Sequence, residues 1–98
     1  ERYPELKMIM AHFGGNRKRA IYEVAHCPNV RLDTSGGLPE AEIIETALRE
    51  VGAKRILYGS DAPGRSFAVQ MGKVFGTTMT VEEREAILWR NARELIPR

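Results

Sequence analysis

Short apolar runs alternate with amphipathic segments along this chain of 98 residues, and that alternation restricts the fold more than any other feature. The apolar runs at 6–11, 30–34 and 55–59 predict three β-strands. Helical periodicity fills the segments between and after them, which gives the order β-α-β-α-β-α-α. Strands joined by helices must run parallel, with right-handed crossovers. The sequence therefore predicts one α/β domain over residues 1–98, built on a parallel sheet.

Local signals predict where the strands and helices lie. The first apolar run is interrupted only by Lys7, which is typical of a strand buried on both faces. Pro39 and Gly52 fit the start and end of the second helix, and Thr80 and Glu83 have the spacing of a capping box. The predicted helices cover 17–26, 39–51, 66–75 and a region from 80 to the end. The residues expected to face the core are Ile43, Ile44, Ala47, Leu48 and Val51 in the second helix, Phe67, Met71, Val74 and Phe75 in the third, and Trp89 in the last.

Composition excludes several classes of function. A formal net charge of +2 with dispersed basic residues does not favour nucleic-acid binding. No segment has the length and apolarity of a membrane span, and no signal-peptide pattern opens the sequence. Cys27 is the only cysteine, so an internal disulfide is impossible and a reducing, cytoplasmic compartment is expected.

Polar side chains follow each predicted strand at its carboxyl end. His12 follows the first strand, Asp33 and Thr34 end the second, and Asp61 follows the third. In α/β folds, chemistry collects at the carboxyl ends of parallel strands. An imidazole and a carboxylate at that edge could ligate a divalent metal or transfer protons near neutral pH. His12 and Asp61 are therefore the candidate catalytic and metal-ligating residues.

Each of these residues also has a structural explanation. Asp61 is equally suited to capping the turn before Pro63, and an isolated histidine at a sheet edge is more often simply hydrogen-bonded. Asp33 and Thr34 could orient a ligand or bind substrate, or could cap their own loop. Arg65 could recognise a substrate carboxylate through its planar fork, or could be a surface arginine. The occurrence of two such strand ends in one sheet favours a shared site.

Four segments, in order, resemble one known family. The segments Tyr3 to Gly15, Asn29 to Gly36, Arg55 to Pro63 and Ile87 to Ala92 are similar to the amidohydrolase-related metal-dependent hydrolases. This is the branch that includes aminocarboxymuconate-semialdehyde decarboxylase and related aromatic-acid decarboxylases. The resemblance covers nearly the whole chain.

The resemblance implies a fold and a chemistry. The family folds as a (β/α)8 TIM barrel, of which this chain would supply the sixth, seventh and eighth βα units, that is, the C-terminal part. Asp61 would bind the metal and its activated water, and His12 would help to activate water or substrate. Zinc is the metal that the family implies, and the substrate would be a small carboxylated or cyclic molecule, either hydrolysed or decarboxylated by lyase chemistry.

The sequence departs from the family pattern in its histidines. His12 and His26 are the only ones, so the first-strand His-x-His pair and the fifth-strand histidine of the family are missing. A catalytic zinc site uses about three protein ligands, and a complete barrel takes about 250 residues. We therefore expect a C-terminal portion of a barrel enzyme.

Three strands in an open sheet would expose two edges, and a homo-oligomer would hide them. The alternative function is therefore a non-catalytic half-barrel module that self-associates.

Overall fold

A computed structural model of the chain describes residues 2–37 and 40–97. Three strands, β1 (Met8–Met10), β2 (Val30–Asp33) and β3 (Ile56–Leu57), form one sheet in the order β1-β2-β3. Both pairings are parallel, with Met10 opposite Leu32 and Leu32 opposite Ile56. The predicted parallel sheet is therefore confirmed, although each strand is shorter than its apolar run.

Strand β1 lies at one edge of the sheet and is not buried as the sequence predicted. Met8 is 41% exposed and Ile9 is 53% exposed. In the described part of the chain, β1 pairs only with β2, so nothing covers its other side. The apolar run correctly predicted a strand. Burial of β1 would need a second neighbouring strand or another covering element, which residues 2–37 and 40–97 do not supply.

The helices follow the predicted order. The long ones are α1 (Lys18–Val24), α2 (Ile43–Glu50) and α3 (Phe67–Phe75), and a 3-10 turn at Ala53–Arg55 precedes β3. The last helical region consists of α4 (Val81–Glu85), a π-helical turn (Ala86–Arg90) and α5 (Asn91–Leu95). Thr80 and Glu83 form the predicted capping box at its start. Pro39, the expected start of the second helix, lies outside the described residues. Residues 40–42 are not helical, so this helix begins later than predicted, at Ile43 after a left-handed Glu42.

The core lies between the sheet and the inner faces of the helices. Its cluster contains Phe13, Ile21, Leu32, Ile43, Ile44, Ala47, Ile56, Val74 and Ile87. The inward face of α2 is as predicted. Phe67, Phe75 and Trp89 were expected to be buried, but they are 57%, 51% and 54% exposed. These three rings therefore contribute apolar surface rather than core packing.

Arg55 connects the end of α1 to the start of β2 through side-chain hydrogen bonds. Its guanidinium donates hydrogen bonds of 2.7–2.9 Å to four backbone carbonyl oxygens. Three belong to Val24, Ala25 and Cys27, at and just after the end of α1. The Val24 and Cys27 carbonyls also accept the backbone N–H groups of Cys27 and Val30. The fourth belongs to Val30, the first residue of β2. Partial burial lowers the pKa of Arg55 through desolvation.

The closing helical region is fastened to β3 in two places. Asn91 is buried, and its Nδ2 donates to the carbonyl oxygens of Ala53, at 2.6 Å, and Ile56, at 2.7 Å. The backbone N–H of Tyr58 donates to the Ile87 carbonyl at 2.8 Å. Ile87 lies in the π-helical turn, so its carbonyl serves a strand as well as a helix. These contacts fix the position of the loop that follows β3.

Candidate active site

His12 lies at the carboxyl end of β1 in a left-handed turn. Residues His12–Asn16 form one helical turn, but all five have positive φ, with His12 at 58° and Asn16 at 61°. Left-handed backbone is unfavourable for residues other than glycine, and such strain concentrates at functional sites. Gly14 and Gly15 adopt positive φ without a steric penalty, which lowers the cost of the turn. The His12 side chain lies partly exposed at the edge of the sheet.

Asp61 lies beside His12, although 49 positions separate them along the sequence. The Oδ2 atom of Asp61 is 3.7 Å from Nε2 of His12, with the side chains 47% and 42% exposed, respectively. Asp61 also has a left-handed backbone, with φ of 60°. The structure therefore brings the two principal candidate residues together at one solvent-accessible edge, as parallel strands require.

Asp33 lies at the end of the central strand and holds the backbone around His12. Its Oδ1 accepts hydrogen bonds from the backbone N–H of His12, at 3.1 Å, and of Ser35, at 2.9 Å, and from the Ser35 hydroxyl. A Cβ added to Gly59 would lie 3.1 Å from Cγ of Asp33, so the loop after β3 passes close to this carboxylate. Asp33 thus links all three strand ends.

Thr34 is completely buried and connects the loops that follow β2 and β3. Its Oγ1 accepts from the backbone N–H of Gly59 at 3.2 Å, and its own N–H donates to the Leu57 carbonyl at 3.0 Å. In this position it supports the site through the backbone of the Asp61 loop.

Arg65 follows Asp61 by four positions, and its backbone N–H donates to the Asp61 carbonyl at 3.0 Å. Its guanidinium rests on Gly37, since a Cβ there would lie 2.9 Å from Cζ. Lys73 and Gln70, both on α3, donate to the Gly36 carbonyl at 2.9 and 3.2 Å. Lys73 and Gln70 could not be recognised as loop-binding residues from the sequence, because only the tertiary fold brings them to a loop more than 30 positions away.

The donor set tests whether a metal fits this chain. Among residues 2–37 and 40–97, no group of three or more His, Cys, Asp or Glu side chains is placed to hold a metal ion. His12 and Asp61 supply one imidazole nitrogen and one carboxylate, both of which are ordinary ligands of divalent metals. The described residues can therefore contribute to a metal site, but they do not complete one.

Comparisons with known proteins identify the family of the chain. The amidohydrolase family model matches residues 1–98. The 2-amino-3-carboxymuconate-6-semialdehyde decarboxylase of Caenorhabditis elegans is 25% identical over 114 aligned residues, which cover 96% of this chain and 28% of that protein. The chain spans about a third of the length of the curated relatives that it matches, 28% and 35% in the two cases.

Solved structures of the same family superpose well on the chain. The dihydroxybenzoic acid decarboxylase of Polaromonas sp. JS666, with bound manganese and the inhibitor 2-nitroresorcinol, gives a TM-score of 0.77 at 25% identity, over 96% of this chain and 34% of that one. An amidohydrolase from Burkholderia multivorans with bound zinc gives 0.77 at 21% identity, over 95% and 44%. The three parallel βα units thus match part of the TIM barrel of these proteins, and the chain belongs to the amidohydrolase family.

Proposed function

We propose that this chain supplies part of the active site of a metal-dependent hydrolase or decarboxylase. The observation that carries the proposal is the contact between His12 and Asp61 at the carboxyl ends of two parallel strands, where barrel enzymes hold their catalytic groups. The family motifs at both residues support placing the chain at the C-terminal end of the barrel, as its sixth to eighth βα units.

His12 and Asp61 would hold a divalent metal together with ligands from outside residues 2–37 and 40–97. Manganese and zinc in the two related structures support a divalent ion, and we propose zinc here. Such a metal, when bound, supplies Lewis acidity and lowers the pKa of water.

The residues of this chain have separate tasks in the proposed site. The Asp61 carboxylate accepts a proton from the attacking water or from the substrate, and the His12 imidazole exchanges a proton with the substrate. Asp33 keeps His12 in position by accepting its backbone N–H. We place Thr34 as a supporting residue and Arg65 as a substrate-binding residue.

The substrate that we propose is a small carboxylated or cyclic molecule. Two of the three relatives named above are decarboxylases, which favours decarboxylation of such a molecule over general hydrolysis. We further propose that the protein is cytoplasmic, because Cys27 is a free thiol. Within residues 2–37 and 40–97, none of the helices has the length and apolar character that crossing a bilayer would require.

Replacement of the carboxylate tests the mechanism. In the full-length protein that contains this chain, Asp61→Asn should lower turnover by at least about 10²-fold, the smaller end of the usual contribution of a general acid or base. Glu82→Gln, which neutralises a carboxylate at the start of α4, is the control. Unchanged turnover of Asp61→Asn, with the same circular dichroism spectrum, would remove Asp61 from the mechanism.

A second proposal concerns assembly, and it rests on the exposed apolar edge of β1. Met8 and Ile9 are exposed there, and a strand edge with free backbone groups can pair with another chain. We propose that the 98-residue chain forms a homo-oligomer through this edge. Sedimentation should show a dimer or larger species that Ile9→Lys dissociates, whereas a monomeric wild-type chain would contradict the proposal.

A further inference from the structure

A cleft of about 460 Å³ opens between the loop after β2 and helix α3. We call it the Arg65–Lys73 cleft. Its lining includes Gly36, Gly37, Arg65, Val69, Gln70 and Lys73. This volume lies within the range of pockets that hold small organic ligands, roughly 300–1,000 Å³.

Two positive charges face this cleft, and neither forms a direct ion pair with a described carboxylate. Across residues 2–37 and 40–97, neither Arg65 nor Lys73 takes part in an ion pair within 4.0 Å. Lys73 uses one N–H on the Gly36 carbonyl, and an ammonium has three such donors. Desolvation, together with the nearby Arg65 charge, lowers the pKa of Lys73 against the opposing effect of Asp33. An anion in the cleft would relieve that repulsion.

The cleft has a fixed position relative to His12. The dipeptide Gly36-Gly37 separates the two, since Gly36 approaches the His12 ring on one side and presents its carbonyl to Lys73 on the other. A Cβ on Gly36 would lie 2.9 Å from Cγ of His12. Asn16, which is buried in the His12 turn, donates to the Gly37 carbonyl at 3.0 Å and holds this loop.

We propose that the Arg65–Lys73 cleft binds a carboxylate of the substrate, so that the rest of the molecule extends past Gly36 toward His12 and Asp61. The planar fork of Arg65 fits a carboxylate, which can accept two parallel hydrogen bonds, and Lys73 adds a point charge. Val69 gives one wall an apolar surface for the body of a cyclic acid. The identity of the ligand as the substrate rests on the function proposed above, whereas the anion site itself does not.

Benzoate is the probe, and the isotope-labelled 98-residue chain is titrated by NMR. The Gly36 and Gly37 amides and the Gln70 side-chain amide report on the cleft. Benzoate should shift these signals saturably, and neutral benzyl alcohol should not. Benzyl alcohol that shifts them equally would overturn the proposal, as would benzoate that leaves them unmoved. Inorganic phosphate that binds more tightly than benzoate would overturn the assignment to a carboxylate.

Lys73→Met and Arg65→Met should each weaken benzoate about tenfold, which corresponds to ~1.4 kcal/mol. The matched control is Lys54→Met, which removes an exposed lysine before β3, at the opposite end of the sheet. Lys73→Arg keeps a cation beside Gly36 and should retain binding. If Lys73→Met does not fold, loss of binding in Lys73→Arg would count against the site. Equal weakening by Lys54→Met would reduce the effect to net charge and refute the site.

Gly37→Ala tests the position of Arg65 separately. Its methyl group would displace the guanidinium, which lies 2.9 Å from the new atom, so benzoate should weaken as it does in Arg65→Met. Wild-type affinity in this variant would contradict the placement of Arg65. Asp61→Asn should preserve benzoate binding while it abolishes turnover of the full-length protein, so the carboxylate site and the proposed mechanism can fail independently.

Discussion

Among the variants proposed here that alter a partly exposed side chain, Arg55→Met should destabilise the chain most. Methionine keeps an unbranched apolar stem but removes four hydrogen bonds to the carbonyls of Val24, Ala25, Cys27 and Val30. At about 1 kcal/mol net for a typical bond, the four contribute ~4 kcal/mol. The charge on the donor makes each bond stronger than a typical one. Water that hydrates these carbonyls in the variant makes the loss of stability smaller.

That loss is large for a domain of this size, whose total stability should be about 5–15 kcal/mol. A domain of 60–100 residues loses about 4–8 °C in Tm per kcal/mol, so Arg55→Met should lower Tm by roughly 16–32 °C. Thermal unfolding followed by circular dichroism measures this shift. Urea unfolding should show a lower midpoint with an unchanged slope.

Two further variants separate the geometry of Arg55 from its charge. Arg55→Lys keeps the charge but lacks the planar fork, so it should recover less than half of the lost stability. Arg19→Met removes an arginine whose side chain is 87% exposed and pairs with Glu23 on the surface, and its Tm should match the wild type. A decrease in Tm of less than about 5 °C for Arg55→Met would refute the reasoning, because the loss of even two of the four bonds should lower Tm by more than that.

The remaining predictions concern Asn91 and Lys73. Asn91→Ala removes the side-chain donor to the Ala53 and Ile56 carbonyls, of which the first keeps the backbone N–H of Ile56, and should cost about 2–4 kcal/mol in urea unfolding. Asn29→Ala, which removes a more exposed amide bonded to Leu6, should cost much less. Because the pKa of Lys73 is lowered in the folded chain, the unfolded chain holds more protons between that pKa and the usual value near 10.4, so stability should rise with pH across this window. The charged groups around Lys73 are Asp33, Arg65, Glu40 and Glu42. Lys73→Met should lack this rise, and an identical rise in the variant would contradict the assignment.

The sequence predicted the edge of the sheet where the candidate residues meet. Parallel strands place their carboxyl ends together, so the order of the elements was enough to bring His12, Asp33 and Asp61 to one edge. Thr80 and Glu83 carried their own local signal, and their capping box is confirmed. These predictions held because they depend on strand direction or on neighbours within four positions.

Burial at the chain's outer surfaces could not be predicted in the same way. Ile9 and Phe67 have the apolar side chains of core residues, yet both are exposed, since their burial would need a covering surface that the described residues do not provide. Lys73 and Gln70 were missed for a related reason. Their spacing is that of any polar pair on one helix face, and only the packing of α3 against Gly36 gives them a role.

The left-handed backbone at His12 and at Asp61 has a common consequence for the site. Each such residue costs about 1–3 kcal/mol and persists only where its surroundings hold it. The surroundings here are the Asp33 carboxylate, which accepts the His12 N–H, and Thr34, which accepts the N–H of Gly59 two positions before Asp61. Both supports come from the end of β2, so the central strand sets the spacing between the imidazole and the carboxylate. A change at Asp33 should therefore displace His12, and a change at Thr34 should displace Asp61, whereas a change at either outer residue should leave the other in place.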